Sequence, residues 1–264
     1  MKTVMIGDIH GREIWKRIVE VEKADRYVFI GDYFDSFDIP GLLQMHNFKE
    51  LMMWSEQTKA ECIFLIGNHD YGYFEGCDGT RTSGYQFKLA PSIKMLVSEW
   101  KHKLQLAYRF DDVLCTHAGV STDFMNGVFG RGGWKADNIV ELLNEQWKYK
   151  PHTFDFDIVP LVQTPQTVKM SWVDPYGDNV DQSPIWIRPK SLMRSNKDEL
   201  KKQIIQVVGH TGQRQIDIKG MATGGRYYFI DTLETSGEYL IYENGKFNIN
   251  TIKQNENERL GLDK

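Results

Sequence analysis

Three observations predict an α/β fold. Strand and helix signals alternate through the first third of the chain. Five apolar runs each stop at a small polar cluster carrying Asp, Asn or His. The last third is β-like. Such alternation implies a parallel sheet with crossover helices. Thr3-Val4-Met5-Ile6 is a short apolar run ending in Gly7-Asp8, the pattern of a buried strand entering a loop. Ile14, Ile18 and Val21, with Trp15 nearby, fall at helical spacing. Tyr27-Val28-Phe29-Ile30 is the next strand, closed by Gly31-Asp32. Leu42 to Lys59 is rich in Leu, Met, Glu, Gln and Lys, all good helix formers. Cys62 to Ile66 is a third buried strand, closed by Gly67-Asn68-His69.

A fourth strand, Val113 to Thr116, runs into His117-Ala118-Gly119. Residues 121–203 are less regular and hold Gly130, Gly132, Gly133 and most of the prolines. They read as a cap-like insertion over the mouth of the sheet, with a helix near 137–149. Ile204 to Val208 is a fifth strand, running into Gly209-His210-Thr211. Tyr227 to Ile230, Glu238 to Tyr242 and Phe247 to Ile252 follow as strands, the last two joined by an Asn244-Gly245 hairpin turn. The expected organisation is one domain over 1–252, containing the insertion, and a polar tail over 253–264.

Composition narrows the function classes. Hydrophobic residues make up 41% of the 264 and charged residues 26%, which excludes wholesale disorder, a collagen-like chain and a coiled coil. A net charge of −4 gives no bulk electrostatic case for nucleic acid or an anionic membrane. Three cysteines are too few and too odd for a disulfide framework, so a reducing compartment fits best. No apolar run reaches the length of a membrane span, and no signal-peptide core follows Met1-Lys2. A cytoplasmic location is expected.

The clusters carry the chemistry. They are Gly7-Asp8-Ile9-His10-Gly11, Gly31-Asp32-Tyr33-Phe34-Asp35, Gly67-Asn68-His69-Asp70, Thr116-His117-Ala118-Gly119 and Gly209-His210-Thr211. In open α/β sheets the ligand crevice lies beyond the carboxyl ends of the strands, so clusters far apart in sequence converge there. Imidazole nitrogens with carboxylate and amide oxygens suit Mn, Fe, Zn or Mg better than a thiolate zinc site. Asp8 or Asp32 alone would serve equally well as a helix N-cap, and His117 or His210 alone as a structural histidine. It is their shared strand-end setting that points to metal.

In this order, each after a strand, the clusters resemble those of the calcineurin-like metallophosphoesterases. The resemblance is closest to the branch of phosphoprotein phosphatases, with their bacterial and phage serine/threonine relatives, and symmetrical dinucleoside tetraphosphatases. It runs from residue 3 to about 232, and Ser171-Trp172-Val173-Asp174-Pro175 is similar to that branch's W-x-D-P segment. The resemblance implies a four-layer αββα sandwich of two mixed sheets with flanking helices. It implies two divalent cations, with manganese first and iron, zinc or magnesium as alternatives. Asp8, His10 and Asp32 would hold one cation. Asp32, Asn68, His117 and His210 would hold the other. His69 would protonate the leaving group, oriented by Asp35, with Asp70 a second candidate for that orienting role.

Departures from the pattern matter. Protein phosphatases carry arginines straight after G-D-x-x-D and shortly after G-N-H-E. Here those positions are Ser36 and Tyr71, and Asp70 replaces the glutamate. Phosphate must then be gripped by other groups, and Arg81, Arg131, Arg188 and Arg194 are the candidates. Gly212 stands where many phosphodiesterases have the second histidine of G-H-x-H, which favours monoester chemistry. Trp134, Trp147, Trp172 and Trp186 read as core filler, with a base-stacking cap as the rival. His46, His102 and His152 have no strand-end setting. The positive run from Arg188 to Lys202 reads as a solvated helix face, with a phosphate guide as its rival.

The expected activity is metal-dependent hydrolysis of phosphoric esters. A phosphomonoesterase acting on a protein, nucleotide or nucleic-acid end is the leading form. The alternatives are a phosphodiesterase or dinucleoside polyphosphate hydrolase and, last, a non-catalytic scaffold on the same fold. The expected partner is the phosphorylated substrate, with no membrane and no bulk nucleic-acid binding.

Overall fold

A computed structural model describes residues 1–156, 179–195, 200, 204–220 and 226–252. The chain opens with β1 (Lys2–Ile6), α1 (Ile14–Val21), β2 (Arg26–Phe29), α2 (Gly41–Gln57), β3 (Glu61–Leu65) and the single turn α3 (Asn68–Tyr71). Next come α4 (Ala90–Trp100), β4 (Leu104–Gln105), β5 (Ala107–Phe110), β6 (Val113–Thr116), α5 (Thr122–Phe129) and α6 (Ile139–Tyr149). The chain closes with α7 (Pro189–Ser195), β7 (Ile205–Val208), β8 (Asp217–Gly220), β9 (Arg226–Phe229), β10 (Glu238–Glu243) and β11 (Lys246–Thr251).

Among the described residues the strands form two mixed sheets. One runs β11-β10-β1-β2-β3-β4 and the other β5-β6-β7-β9-β8. β1, β2 and β3 are parallel, with Met5 opposite Val28 and Val28 opposite Ile63. β10 joins β1 antiparallel, which makes the first sheet mixed. β6, β7 and β9 are parallel in the second sheet.

Alternation along each strand builds the layers. Met5, Val28, Ile63 and Leu65 face Val113, Cys115, Val207 and Tyr228, forming the core between the sheets. Val4, Ile6, Tyr27, Phe29 and Phe64 point the other way, onto Ile18 of α1, Leu51 and Met52 of α2, and Ile93 and Val97 of α4. On the outer side of the second sheet, Leu114 joins Phe124 of α5 and Leu143 of α6, while Val208, Tyr227 and Phe229 pack on Leu192 of α7. The result is the expected αββα sandwich. Burial on both faces explains why the strands read as unbroken apolar runs.

Local chemistry sets the element ends. Ser121 caps α5 by accepting the Phe124 N–H at 3.0 Å. Asn244 and Gly245, at φ +52° and +76° in the left-handed region, turn β10 into β11. The stretch between Tyr71 and Val113, left unassigned by periodicity, supplies α4, β4 and β5. The W-x-D-P segment with Trp172, the charges from Lys197 to Lys202 and the 253–264 tail lie outside the described residues.

Candidate active site

Each polar cluster sits just beyond the carboxyl end of its strand. Asp8 and His10 follow β1, Asp32 and Asp35 follow β2, and Asn68 and His69 follow β3. His117 follows β6 and His210 follows β7. Both sheets therefore open onto one edge, and the five loops meet there.

The backbone is bent to achieve this. His10, Asp32, Asp35 and His210 have φ of +42°, +52°, +63° and +67°, in the left-handed region that non-glycine residues avoid. Each such residue costs on the order of 1–3 kcal/mol, an investment that clusters at functional sites. Two glycines let the loops close on the carboxylates. A Cβ at Gly67 would lie 2.0 Å from Asp32 Oδ1, and one at Gly209 would lie 1.9 Å from Asp8 Oδ1.

Bare acceptor atoms converge at the centre. His10 Nδ1 is 2.7 Å from the Phe34 carbonyl and His117 Nδ1 is 2.9 Å from the Ile30 carbonyl. His210 Nε2 is 2.9 Å from the Trp186 carbonyl. Carbonyls only accept, so each ring donates its proton there and turns an unprotonated nitrogen inward. Those inward nitrogens face oxygens. His117 Nε2 lies 3.0 Å from Asn68 Oδ1 and 3.3 Å from Asp32 Oδ2. His210 Nδ1 lies 2.8 Å from Asn68 Oδ1, and His10 Nε2 lies 3.6 Å from Asp32 Oδ2.

Protonating His10 or His210 does not resolve this confrontation. Burial lowers the His10 pKa to about 4 against the pull of Asp32, and burial with the nearby Arg188 charge drives His210 well below its usual value. The oxygens are equally crowded. Burial and the neighbouring Asp231 and Asp32 charges raise the Asp8 pKa strongly. Asp8 Oδ1 has no hydrogen-bond partner, while Oδ2 accepts the His210 N–H at 2.9 Å. Burial opposes the Asp32 charge too, but the surrounding His117, His69 and His10 rings outweigh it and hold that pKa low.

Lone pairs facing lone pairs in a buried pocket are a fit for cations. Among the described residues, two groups have ligand atoms within 4.8 Å of one another: His10, Asp32 and His69, and Asp32, His117 and His210. Asp32 is common to both, and its Oδ2 faces His10 on one side and His117 on the other. Asp8 belongs to neither group and lies against Gly209 and His210.

His69 occupies a different setting. Its Nδ1 lies 3.4 Å from Asp35 Oδ2, and its ring meets that of His10 edge-on at 5.0 Å. Burial works against a charge on His69, but Asp32 and then Asp35 outweigh it and raise its pKa. Asp70 does not share the orienting position of Asp35. Its carboxylate accepts the backbone N–H groups of Asp32 and Tyr33, both at 2.8 Å, and of Gly67 at 2.9 Å. It therefore ties the β2 and β3 loops together.

The arginines separate. Arg188 Nη1 donates to the His210 carbonyl and to Thr211 Oγ1, both at 3.1 Å, which puts it against the second group. Arg81 is exposed on the loop after α3, Arg131 is exposed in the turn after α5, and Arg194 is exposed on α7. The residues at the departure positions have other tasks. Tyr71 is buried against Trp147 at 6.1 Å, and the Ser36 backbone binds Gln44 Oε1. Trp147 and Trp186 pack in the core, and Trp134 donates to Asn126. His46 pairs with Glu50 on the outer side of α2, and His102 stacks on Trp100.

A family model described as calcineurin-like phosphoesterase matches residues 1–233. The chain belongs to the calcineurin-like phosphoesterase family. Such enzymes hydrolyse phosphoester bonds and typically depend on a dinuclear metal centre, which agrees with the two groups sharing Asp32. Among solved structures, the cold-active protein-tyrosine phosphatase of a psychrophilic Shewanella species is similar over 94% of this chain and 77% of its own, at 17% identity and a TM-score of 0.60. A metallophosphoesterase from Sphaerobacter thermophilus is similar over 97% of this chain and 90% of its own, at 10% identity and a TM-score of 0.50. At such identities the likeness is one of fold. No curated protein sequence matches the chain.

Several contributors to this phosphoesterase site carried little or no sequence signal. The carbonyls of Ile30, Phe34 and Trp186 set the histidine tautomers. Asp231 follows β9 as the expected ligands follow their strands, and that strand-end pattern is the signal that marks it. Arg12 bridges Asp38 and Glu234 at 3.2 and 3.3 Å. The Tyr73 hydroxyl donates to Asp35, a contact no local pattern announces. Among the described residues, no helix is long and apolar enough to cross a membrane.

Proposed function

We propose that this phosphoesterase is a metal-dependent phosphomonoesterase acting on a protein, nucleotide or nucleic-acid-end phosphate. The observation that carries the reading is the convergence of unprotonated imidazole nitrogens and buried oxygens around Asp32 Oδ2, bordered by the His69–Asp35 pair. Asp8, His10 and Asp32 would hold one divalent cation, and Asp32, Asn68, His117 and His210 a second, with manganese the proposed occupant. When bound, such a pair neutralises charge on phosphate oxygens and acidifies a water.

The protein's own groups account for the rest. Phosphoryl transfer needs an attacking oxygen in line with the leaving oxygen, and it is governed by positioning and charge. His69 delivers the Nε2 proton to the leaving oxygen as the P–O bond breaks, while Asp35 faces Nδ1. Arg188, held at Thr211 and the His210 carbonyl, is the proposed phosphate contact. Gly212 in place of a second histidine supports monoester over diester chemistry.

Chelator-stripped protein, reconstituted with manganese, should hydrolyse p-nitrophenyl phosphate faster than its bis-ester. Preference for the bis-ester would replace this reading with a phosphodiesterase or dinucleoside polyphosphate hydrolase. A metal-loaded protein that turns over neither would remove it.

A further inference from the structure

We propose that Tyr73 is a positioning residue for proton delivery, its hydroxyl holding Asp35 and, through Asp35, the His69 ring. This rests on the reading of His69 as general acid. Tyr73 is buried, and its ring is clamped by Tyr85, stacked at 4.9 Å, and by Phe34, edge-on at 5.4 Å. Its oxygen accepts the Gln86 backbone N–H at 3.0 Å. A phenol has one proton to give, and here it goes to Asp35 Oδ1.

One oxygen of the Asp35 carboxylate is thereby occupied, leaving Oδ2 for His69 Nδ1 at 3.4 Å. Both of those atoms are buried and neither makes a hydrogen bond, so each is the other's nearest complement, one step of closure short of a bond. Asp35 cannot easily swing away. It is fully buried, and the loop that carries Gln86 packs over it, with a Cβ at Gly84 only 2.9 Å from the Asp35 carbonyl. With Gln86 N–H and Tyr73 O–H fixing Asp35, closure of the Asp35–His69 contact would keep a proton on Nδ1 and leave Nε2 as the delivering atom. In the chemical step the P–O bond breaks and its electron pair stays on the leaving oxygen. The Nε2 proton moves to that oxygen, and the Tyr73 proton stays in place.

The test compares metal-loaded wild type, Y73F, H69N, D35N and D35N/Y73F on phosphate monoesters from p-nitrophenyl through phenyl to alkyl. Y73F should lose about 10–100-fold in kcat on alkyl phosphates and less than about threefold on p-nitrophenyl phosphate, whose leaving group needs little protonation. KM and manganese content should not change. H69N should show the same leaving-group dependence more strongly, by about 10²–10⁴-fold. D35N/Y73F should be no slower than D35N, because both residues act in one chain. That pair strands no buried carboxylate, so it tests the coupling even where Y73F alone folds poorly.

A Y73F loss equal across all leaving groups, or one that adds to the loss in D35N, would overturn the proposal. H69N without leaving-group dependence would instead overturn the general-acid reading, and Tyr73 with it. A steep H69N beside a flat Y73F would overturn the Tyr73 role alone.

Discussion

Gly209→Ala is a sharp probe of the centre because its effect is steric. The backbone there is not left-handed, so alanine meets no conformational penalty. The new methyl would lie 1.9 Å from Asp8 Oδ1, 3.0 Å from Asp8 Cγ and 3.1 Å from Ile30 Cγ2. All three atoms are in side chains, so the fold can survive by moving Asp8. To reach even the 3.0 Å floor of real Cβ contacts, Oδ1 must retreat by about 1 Å, whereas metal–ligand distances tolerate only about 0.2 Å. Moving the carboxylate also strains its bond from the His210 N–H, which is 2.9 Å long. The expected result is at least a 100-fold loss of affinity at one of two manganese sites, roughly 2.7 kcal/mol. The assay is manganese titration by calorimetry, with the exchange-coupled paramagnetic resonance signal of a manganese pair as the second readout. D8A should give the same loss, and D8A/G209A no more. If G209A binds two manganese ions within about threefold of the parent affinity, Asp8 is not a ligand held by this contact.

Three further outcomes are expected. Asp70→Ala leaves three buried N–H groups without their acceptor; at about 1–3 kcal/mol for each unmet bond, partly relaxed, the loss should be about 4 kcal/mol. A fall in Tm of roughly 8–16 °C would follow, and a loss under about 1 kcal/mol would refute the loop-tying role. In metal-free protein, burial and then the Asp32 charge raise the Asp231 pKa to about 6. A raised carboxyl favours the folded state while protonated, so its contribution is full below about pH 4 and is lost through about pH 6. Urea unfolding should therefore find Asp231→Asn more stable than wild type by roughly 1–3 kcal/mol above about pH 7 and neutral below about pH 4; equal curves at all pH values would count against it. Arg188→Ala should cut kcat/KM by about 10–100-fold, as expected for a lost charge-assisted phosphate contact, and by more than Arg81→Ala or Arg131→Ala. A larger effect at either exposed arginine would reassign the phosphate contact.

Much of the candidate site was legible because strand ends are legible. A buried parallel strand is a continuous apolar run, and its stop marks the crevice side of the sheet. Asp8, Asp32, Asn68, His117 and His210 all fall at such stops, and all reach the one edge. Tyr73 and Arg188 do not. Tyr73 lies just past α3, where local pattern says nothing about a partner 38 residues away. Arg188 was one of four arginines of equal standing, and only its approach to His210 and Thr211 distinguishes it. Adjacency in sequence offers Asp70 as an orienting group for His69, whereas its three backbone bonds direct it to the loops.

By itself the amino-acid sequence determined the α/β class, the main strands and helices and the chemical types gathered at the edge; its resemblance to the family supplied the αββα arrangement. Periodicity and strand-end residues are local properties, and burial writes them directly into the order of residues. The tertiary structure decided which strands belong to which sheet, which nitrogen of each histidine faces inward, and that Asp35 rather than Asp70 faces His69. It also decided that Tyr71 fills the core where an arginine would grip phosphate. These are facts about distance between segments far apart in the chain, fixed only when the two sheets pack and the loops close against each other.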